Sequence, residues 1–128
     1  MDREGRLCVG VFDSGIGGMT LLAECRRLLP RVRFYYFGDN DNAPYGGRSR
    51  EELLSLSRRA MDVFSAVGAD AALIACNTVT TACIGDLRRE YPFPVVGTEP
   101  ALRAAAGCQN LLVLATAATL KSGEYARL

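Results

Sequence analysis

Short, dense apolar runs alternate along the chain with longer stretches in which apolar residues recur every three or four positions. The first run, residues 7–12, is one strand long and stops at Asp13. The turn Asp13-Ser14-Gly15-Ile16-Gly17-Gly18 separates it from a helical pattern over residues 19–29, which Pro30 ends. Residues 33–37 are rich in aromatics and suit a strand, whereas residues 38–48 carry Asn, Asp, Pro and Gly throughout and read as a loop. Ser49 with Glu52 three residues on forms a capping box, so a helix is predicted from there to about Val67, with Gly68 as its stop. Residues 71–75 are continuously apolar, as in a strand buried on both faces. Thr78 or Thr80 should lead into a further helix that ends near Tyr91, ahead of Pro92. Strands at 94–97 and 111–115, a helix at 99–106 closed by Gly107, and a helix from 118 to the last residue complete the pattern. Strands and helices in this alternation predict an α/β fold: an open, mainly parallel sheet with flanking helices. The last helical pattern reaches Leu128 without a cap or polar tail, which reads as a truncated chain.

Composition narrows the classes. Fifteen basic and fourteen acidic residues leave a net charge of +1, so nothing marks a surface for nucleic acid or an anionic membrane. The pairs Arg26-Arg27 and Arg58-Arg59 lie within amphipathic patterns and read as solvated helix faces. Four of the first six residues are charged, no apolar run approaches the roughly 20 residues needed to span a bilayer, and a cytoplasmic location is the default expectation. Five irregularly spaced cysteines (Cys8, Cys25, Cys76, Cys83 and Cys108) read as free thiols rather than a disulfide framework. With no histidine and no C-x-x-C pair, no metal site is expected.

In an open parallel sheet, ligands bind outside the carboxyl ends of the strands. Four predicted strand ends carry polar or reactive residues: Asp13-Ser14, the stretch from Asp39 to Gly46, Cys76-Asn77-Thr78, and Thr116. The glycine-rich turn matches neither the dinucleotide fingerprint nor the P-loop; a tight strand-to-helix turn explains its glycines as well as a ligand site does. Pro44-Tyr45-Gly46 is equally ordinary turn chemistry or a pair of backbone N–H groups for a carboxylate. Cys76 is more telling. It follows a strand and precedes a helix, a placement that lowers a thiol pKa from about 8.5 towards neutrality. Asn77, Thr78, Thr80 and Thr81 give it polar rather than apolar neighbours. Cys83, Cys8, Cys25 and Cys108 fall in apolar patterns and read as core. Without any histidine, a Cys–His nucleophile is ruled out for this chain; a thiolate acting as a general base is not.

At this point the chain resembles a known family. Val9 to Gly18 is similar to the opening of glutamate racemases. Gly38-Asp39, Pro44-Tyr45-Gly46 and Ser49 resemble their second motif, and Ala75-Cys76-Asn77-Thr78 their first catalytic motif. Val96-Gly97-Thr98-Glu99-Pro100 resembles their crossover, and Leu114-Ala115-Thr116 with Thr119 and Ser122 a later segment. The resemblance implies a racemase that needs no cofactor and no metal, in which two cysteines flank the α-carbon of glutamate. Cys76 matches the first of them. Asp13 and Ser14 match residues near the substrate amino group, Tyr45 and Gly46 those at the side-chain carboxylate, and Asn77 and Thr78 those at the α-carboxylate. Thr116 and Thr119 match further pocket positions. The family's second cysteine lies in a Gly-Cys-Thr-His motif absent from this sequence. The resemblance thus implies the first part of a two-domain architecture: residues 1–98 as the first α/β domain, residues 99–128 as the crossover and the start of a second. It implies a small-acid substrate, D-glutamate made for peptidoglycan, no nucleic-acid or membrane partner, and a full-length form open to homodimerisation. This chain alone is expected to be inactive. Two competing readings stand beside it: an aspartate racemase, which shares an Ala-Cys-Asn-Thr setting, and a non-catalytic half-domain that binds a small acid or a protein.

Overall fold

The computed structural model describes residues 5–99, 107, 109–110 and 112–121. Its elements follow the apolar pattern in order: β1 (Cys8–Asp13), α1 (Gly18–Leu28), β2 (Arg33–Gly38), a 3-10 turn (Asn40–Asn42), α2 (Arg50–Ala66), β3 (Ala71–Ile74), α3 (Asn77–Glu90), β4 (Val95–Gly97) and α4 (Ala117–Leu120). The strands form one parallel sheet in the order β2-β1-β3-β4. Because β1 is central, it is the strand most completely withdrawn from water: Val11 and Phe12 are fully buried. Phe12, Leu53, Met61, Phe64, Ile74, Val79 and Leu87 form the core between the sheet and the α2–α3 pair. α1 packs on β1 and β2 without entering that cluster, as expected of a helix on the opposite face when parallel strands are joined by right-handed crossovers.

The local signals in the sequence act as expected. The Ser49 hydroxyl accepts a hydrogen bond from the Glu52 N–H, and the Glu52 carboxylate accepts one from the Ser49 N–H, completing the capping box of α2. Gly68 follows α2 at φ +70°, the left-handed conformation that ends a helix most cheaply in glycine. Arg58 pairs with Glu90, and the Tyr91 hydroxyl donates to Asp62, so the C-terminal end of α3 is clasped to the second half of α2. Arg26, Arg27, Arg58 and Arg59 are all exposed, as solvated helix faces should be.

Three expectations are corrected. Neither Thr78 nor Thr80 starts α3; Cys76 is the N-cap and the helix begins at Asn77, because β3 ends two residues earlier and Cys76 already takes the extended backbone of a cap. The apolar run 111–115 is not a strand over its described residues 112–115. No neighbouring strand pairs with it, and Leu112 and Leu114 are 85% and 89% exposed. Thr116 therefore ends no strand but caps α4, whose described part is a single turn. Cys8 and Cys83 are core residues, whereas Cys25 is only half-buried, since α1 buries a single residue, Gly18. The predicted helix at 99–106, Cys108, Ser122 and the continuation of the last helix lie outside the described residues.

Candidate active site

From β1 the chain crosses to β2 on one side, while β3 joins β1 on the other. The carboxyl ends of β1 and β3 thus form the topological switch point, the place where such sheets bind ligands in a crevice. Ser14 stands on one side of it and Cys76 on the other. The Cys76 thiol donates to the Ser14 hydroxyl oxygen at 3.5 Å, a contact between residues 62 apart in sequence. Cys76 is 6% exposed and belongs to the buried core cluster; as the N-cap it makes no side-chain capping bond, which leaves its sulfur to Ser14. The first N–H groups of α3, at Asn77 and Thr78, have no intrahelical partner and lie at the positive end of the helix dipole.

The turn after β1 is held from within. One carboxylate oxygen of Asp13, Oδ2, accepts from the N–H groups of Gly15 at 3.2 Å and Gly18 at 3.0 Å. Asp13 is therefore an anchor of the turn that presents Ser14, with α1's N-terminus as its partner. Tyr36 donates its hydroxyl to the Gly15 carbonyl at 2.8 Å. Burial, and secondarily the Asp13 charge, raise the Tyr36 pKa, so the phenol stays a neutral donor.

The loop after β2 is a second anchored turn. Tyr45 is buried and donates to Asp39 Oδ2 at 2.6 Å, while the Asn42 amide donates to both Asp39 oxygens. Burial first, and the Asp39 hydrogen bond second, push the Tyr45 hydroxyl far above the usual phenol range. Ala43-Pro44 is a cis peptide bond. Among the described residues no hydrogen bond engages the backbone N–H of Tyr45 or Gly46.

Threonines join these parts. Thr78 Oγ1 lies 3.0 Å from Thr116 Oγ1, which lies 3.0 Å from Thr119 Oγ1. The Ala118 N–H donates to the Gly46 carbonyl at 3.2 Å. Gly46 has no room for a side chain: a Cβ there would sit 2.8 Å from Thr116 Cβ and Cγ2. Asn77 Oδ1 accepts from Thr98 at 3.1 Å, which ties the start of α3 to the end of β4. The structure thus gathers Ser14, Cys76, Asn77 and Thr78 at the crevice, and ties Gly46, Thr116 and Thr119 to Thr78. Asp13 and Tyr45 face inward to their anchoring bonds.

The sequence assigns no role to Tyr36, Asn42 or Thr98, and it puts Asp39 on the rim without a partner. A polar residue directly after a strand was the available signal for Asp39. Nothing marked Tyr36 or Asn42, because their bonds depend on the folded turn.

The other buried thiol of α3 differs from Cys76. Cys83 contacts the Arg50 carbonyl, and burial pushes its pKa up to about 11. It should stay protonated and unlabelled by iodoacetamide at pH 8, and react only once the protein is unfolded. Mass-spectrometric mapping of alkylated sites checks this; prompt native labelling at Cys83 would contradict the burial.

The fold and crevice define an open parallel α/β protein with a thiol at its topological switch point. Comparison with known proteins sharpens that class. No family model matches the chain. It is 42% identical over 123 residues to the glutamate racemase of Clostridium botulinum strain Hall, covering 94% of this chain and 48% of that protein. It is 43% identical over 125 residues to that of Bifidobacterium animalis subsp. lactis, with the same coverage. The crystal structure of glutamate racemase from Thermus thermophilus, in complex with β-chloro-D-alanine, superposes with a TM-score of 0.84 at 41% identity, over 95% of this chain and 48% of that one. The Escherichia coli glutamate racemase, in complex with L-glutamate and the activator UDP-MurNAc-Ala, superposes with a TM-score of 0.83 at 35% identity. The resemblance read from the motifs therefore holds: over nearly all its length this chain is similar to the N-terminal half of glutamate racemases. It spans about half the length of the curated relatives it matches.

Proposed function

We propose that this chain supplies one catalytic half of a glutamate racemase, with Cys76 as the base on one face of the substrate. The observation that carries the reading is Cys76 at the switch point of the sheet, hydrogen-bonded to Ser14, in a chain 42% identical to such enzymes. In the forward step the Cys76 thiolate takes the α-proton of one enantiomer, leaving the electron pair delocalised into the α-carboxylate. A second thiol, in the half of the relatives that this chain does not cover, returns a proton to the opposite face. The reverse reaction exchanges the two roles. The free N–H groups at Asn77 and Thr78 suit an α-carboxylate, because backbone donors at a helix start favour an anion. Those of Tyr45 and Gly46 suit the side-chain carboxylate, with Thr116 and Thr119 beside them. Ser14, presented by the Asp13-anchored turn, serves the amino end. No cofactor or metal takes part in this scheme.

On this reading residues 1–98 belong to a first domain and residues 99–128 lead into a second. The full-length enzyme acts in the cytoplasm, makes D-glutamate for peptidoglycan, and is free to form a homodimer. Among the described residues no helix is long and apolar enough to cross a membrane.

The test is proton exchange in D₂O. With L-glutamate and no added pyridoxal phosphate, the full-length protein should place deuterium at Cα in both enantiomers, and the 128-residue chain alone should yield no D-glutamate. Preference for aspartate, dependence on pyridoxal phosphate, or racemisation by the 128-residue chain would each overturn the corresponding part of the proposal.

A further inference from the structure

We propose a second binding site, for a small phosphorylated molecule, in the groove between the start of α2, the middle of α3 and α4. The groove has a volume of about 500 Å³, within the range of small-molecule sites. Three cationic residues from two separate parts of the chain line it: Arg48 and Arg50 beside the N-cap of α2, and Lys121 just after α4. Its apolar lining comes from Leu53, Ala82 and Ala118.

Charge selects the ligand. Arg48 is partly engaged by the Asn42 carbonyl and lies 3.6 Å from Glu52, and Arg50 pairs with Asp86. The Lys121 ammonium has no ion-pair or hydrogen-bond partner among the described residues. With Glu51, Glu52 and Asp86 set against Arg48, Arg50, Arg89 and Lys121, the groove and its rim keep an excess of one positive charge. The first N–H groups of the 17-residue helix α2 add to it, since the capping box satisfies the Glu52 N–H but not those of Arg50 and Glu51. A phosphate monoester, carrying close to two negative charges at pH 7 and three acceptor oxygens, matches guanidinium, ammonium and backbone donors together. The apolar wall gives the group esterified to the phosphate something to rest on. This assignment uses none of the crevice residues, so it stands or falls independently of the role of Cys76.

The experiment is an amide NMR titration of the ¹⁵N-labelled chain at constant ionic strength, first with inorganic phosphate and then with phenyl phosphate. Saturable shifts are expected at Arg50, Glu51, Ala82 and Ala118, with phenyl phosphate binding at least about threefold more tightly because of the apolar wall. Lys121→Ala, at an exposed position where an unchanged spectrum reports an intact fold, should weaken binding at least about fivefold. Non-saturating shifts, shifts confined to Ser14 and Asn77, or identical affinity in Lys121→Ala would each overturn the site. Failure of the full-length protein to exchange the α-proton of glutamate, with phosphate binding intact, would instead count against the racemase reading alone.

Discussion

Cys76→Ser in the full-length protein should abolish racemisation, lowering kcat at least about a thousandfold, while the fold persists. A serine hydroxyl is a far weaker acid than a thiol, so almost no alkoxide exists near neutral pH to take a proton. Each tenfold of lost rate corresponds to about 1.4 kcal/mol, and several pK units separate the two groups. Oxygen for sulfur is a small polar exchange at a site that already hydrogen-bonds to Ser14. Stability should therefore shift by only about 1 kcal/mol. Turnover and a thermal melt are measured together, with Cys83→Ser as the control thiol on the same helix. Normal turnover in Cys76→Ser would refute the assignment. Loss of turnover in Cys83→Ser alone would mean that the wrong thiol had been named.

Gly46→Val should raise KM for glutamate and cut kcat/KM at least about a hundredfold, a loss near 3 kcal/mol. A Cβ at residue 46 would already lie 2.8 Å from Thr116 Cβ and Cγ2, and valine adds two methyl groups to that overlap. Thr116 cannot simply rotate away, because Thr78 and Thr119 each hold its hydroxyl at 3.0 Å. Either the Tyr45–Gly46 turn or the start of α4 must shift, and both border the proposed carboxylate site. The sheet lies outside this contact, so the far-ultraviolet spectrum should not change. Thr116→Gly in the Gly46→Val background should recover part of the loss by removing the clashing atoms. If Gly46→Val alone binds glutamate normally, the turn does not contact substrate.

The sequence was most legible where local chemistry alone determines structure. The capping box at Ser49 and Glu52 and the stop at Gly68 need only their own neighbours, and both appear as read. The apolar run at residues 71–75 yields the strand Ala71–Ile74 because β1 and β4 flank it. An equally apolar run at 112–115 is not, for want of such neighbours among the described residues, and periodicity carries no information about partners. The candidate site shows the same division. Cys76 could be placed at a strand-to-helix junction from the run before it. That the Asp13 carboxylate would turn inward to the Gly15 and Gly18 N–H groups could not, because a capping aspartate and a ligand-binding one look alike in sequence. The Tyr45–Asp39–Asn42 cluster was invisible for a related reason: its geometry exists only once the loop has closed.

The central position of β1 also fixes when the crevice can come into being. β1 pairs with β2 through a connection contained within residues 14–32, but its other edge waits for β3, beyond α2. A chain emerging from the ribosome therefore presents Ser14 long before Cys76 exists to meet it. The β1–β2 unit must keep one sheet edge and one face of Phe12 uncovered until α2 and β3 arrive. That interval is the stretch of synthesis in which the nascent chain is most open to edge-to-edge association with its neighbours. The crevice beside Cys76 forms only when β3 joins β1, and the core is completed later still, when β4 brings Val95 onto β3.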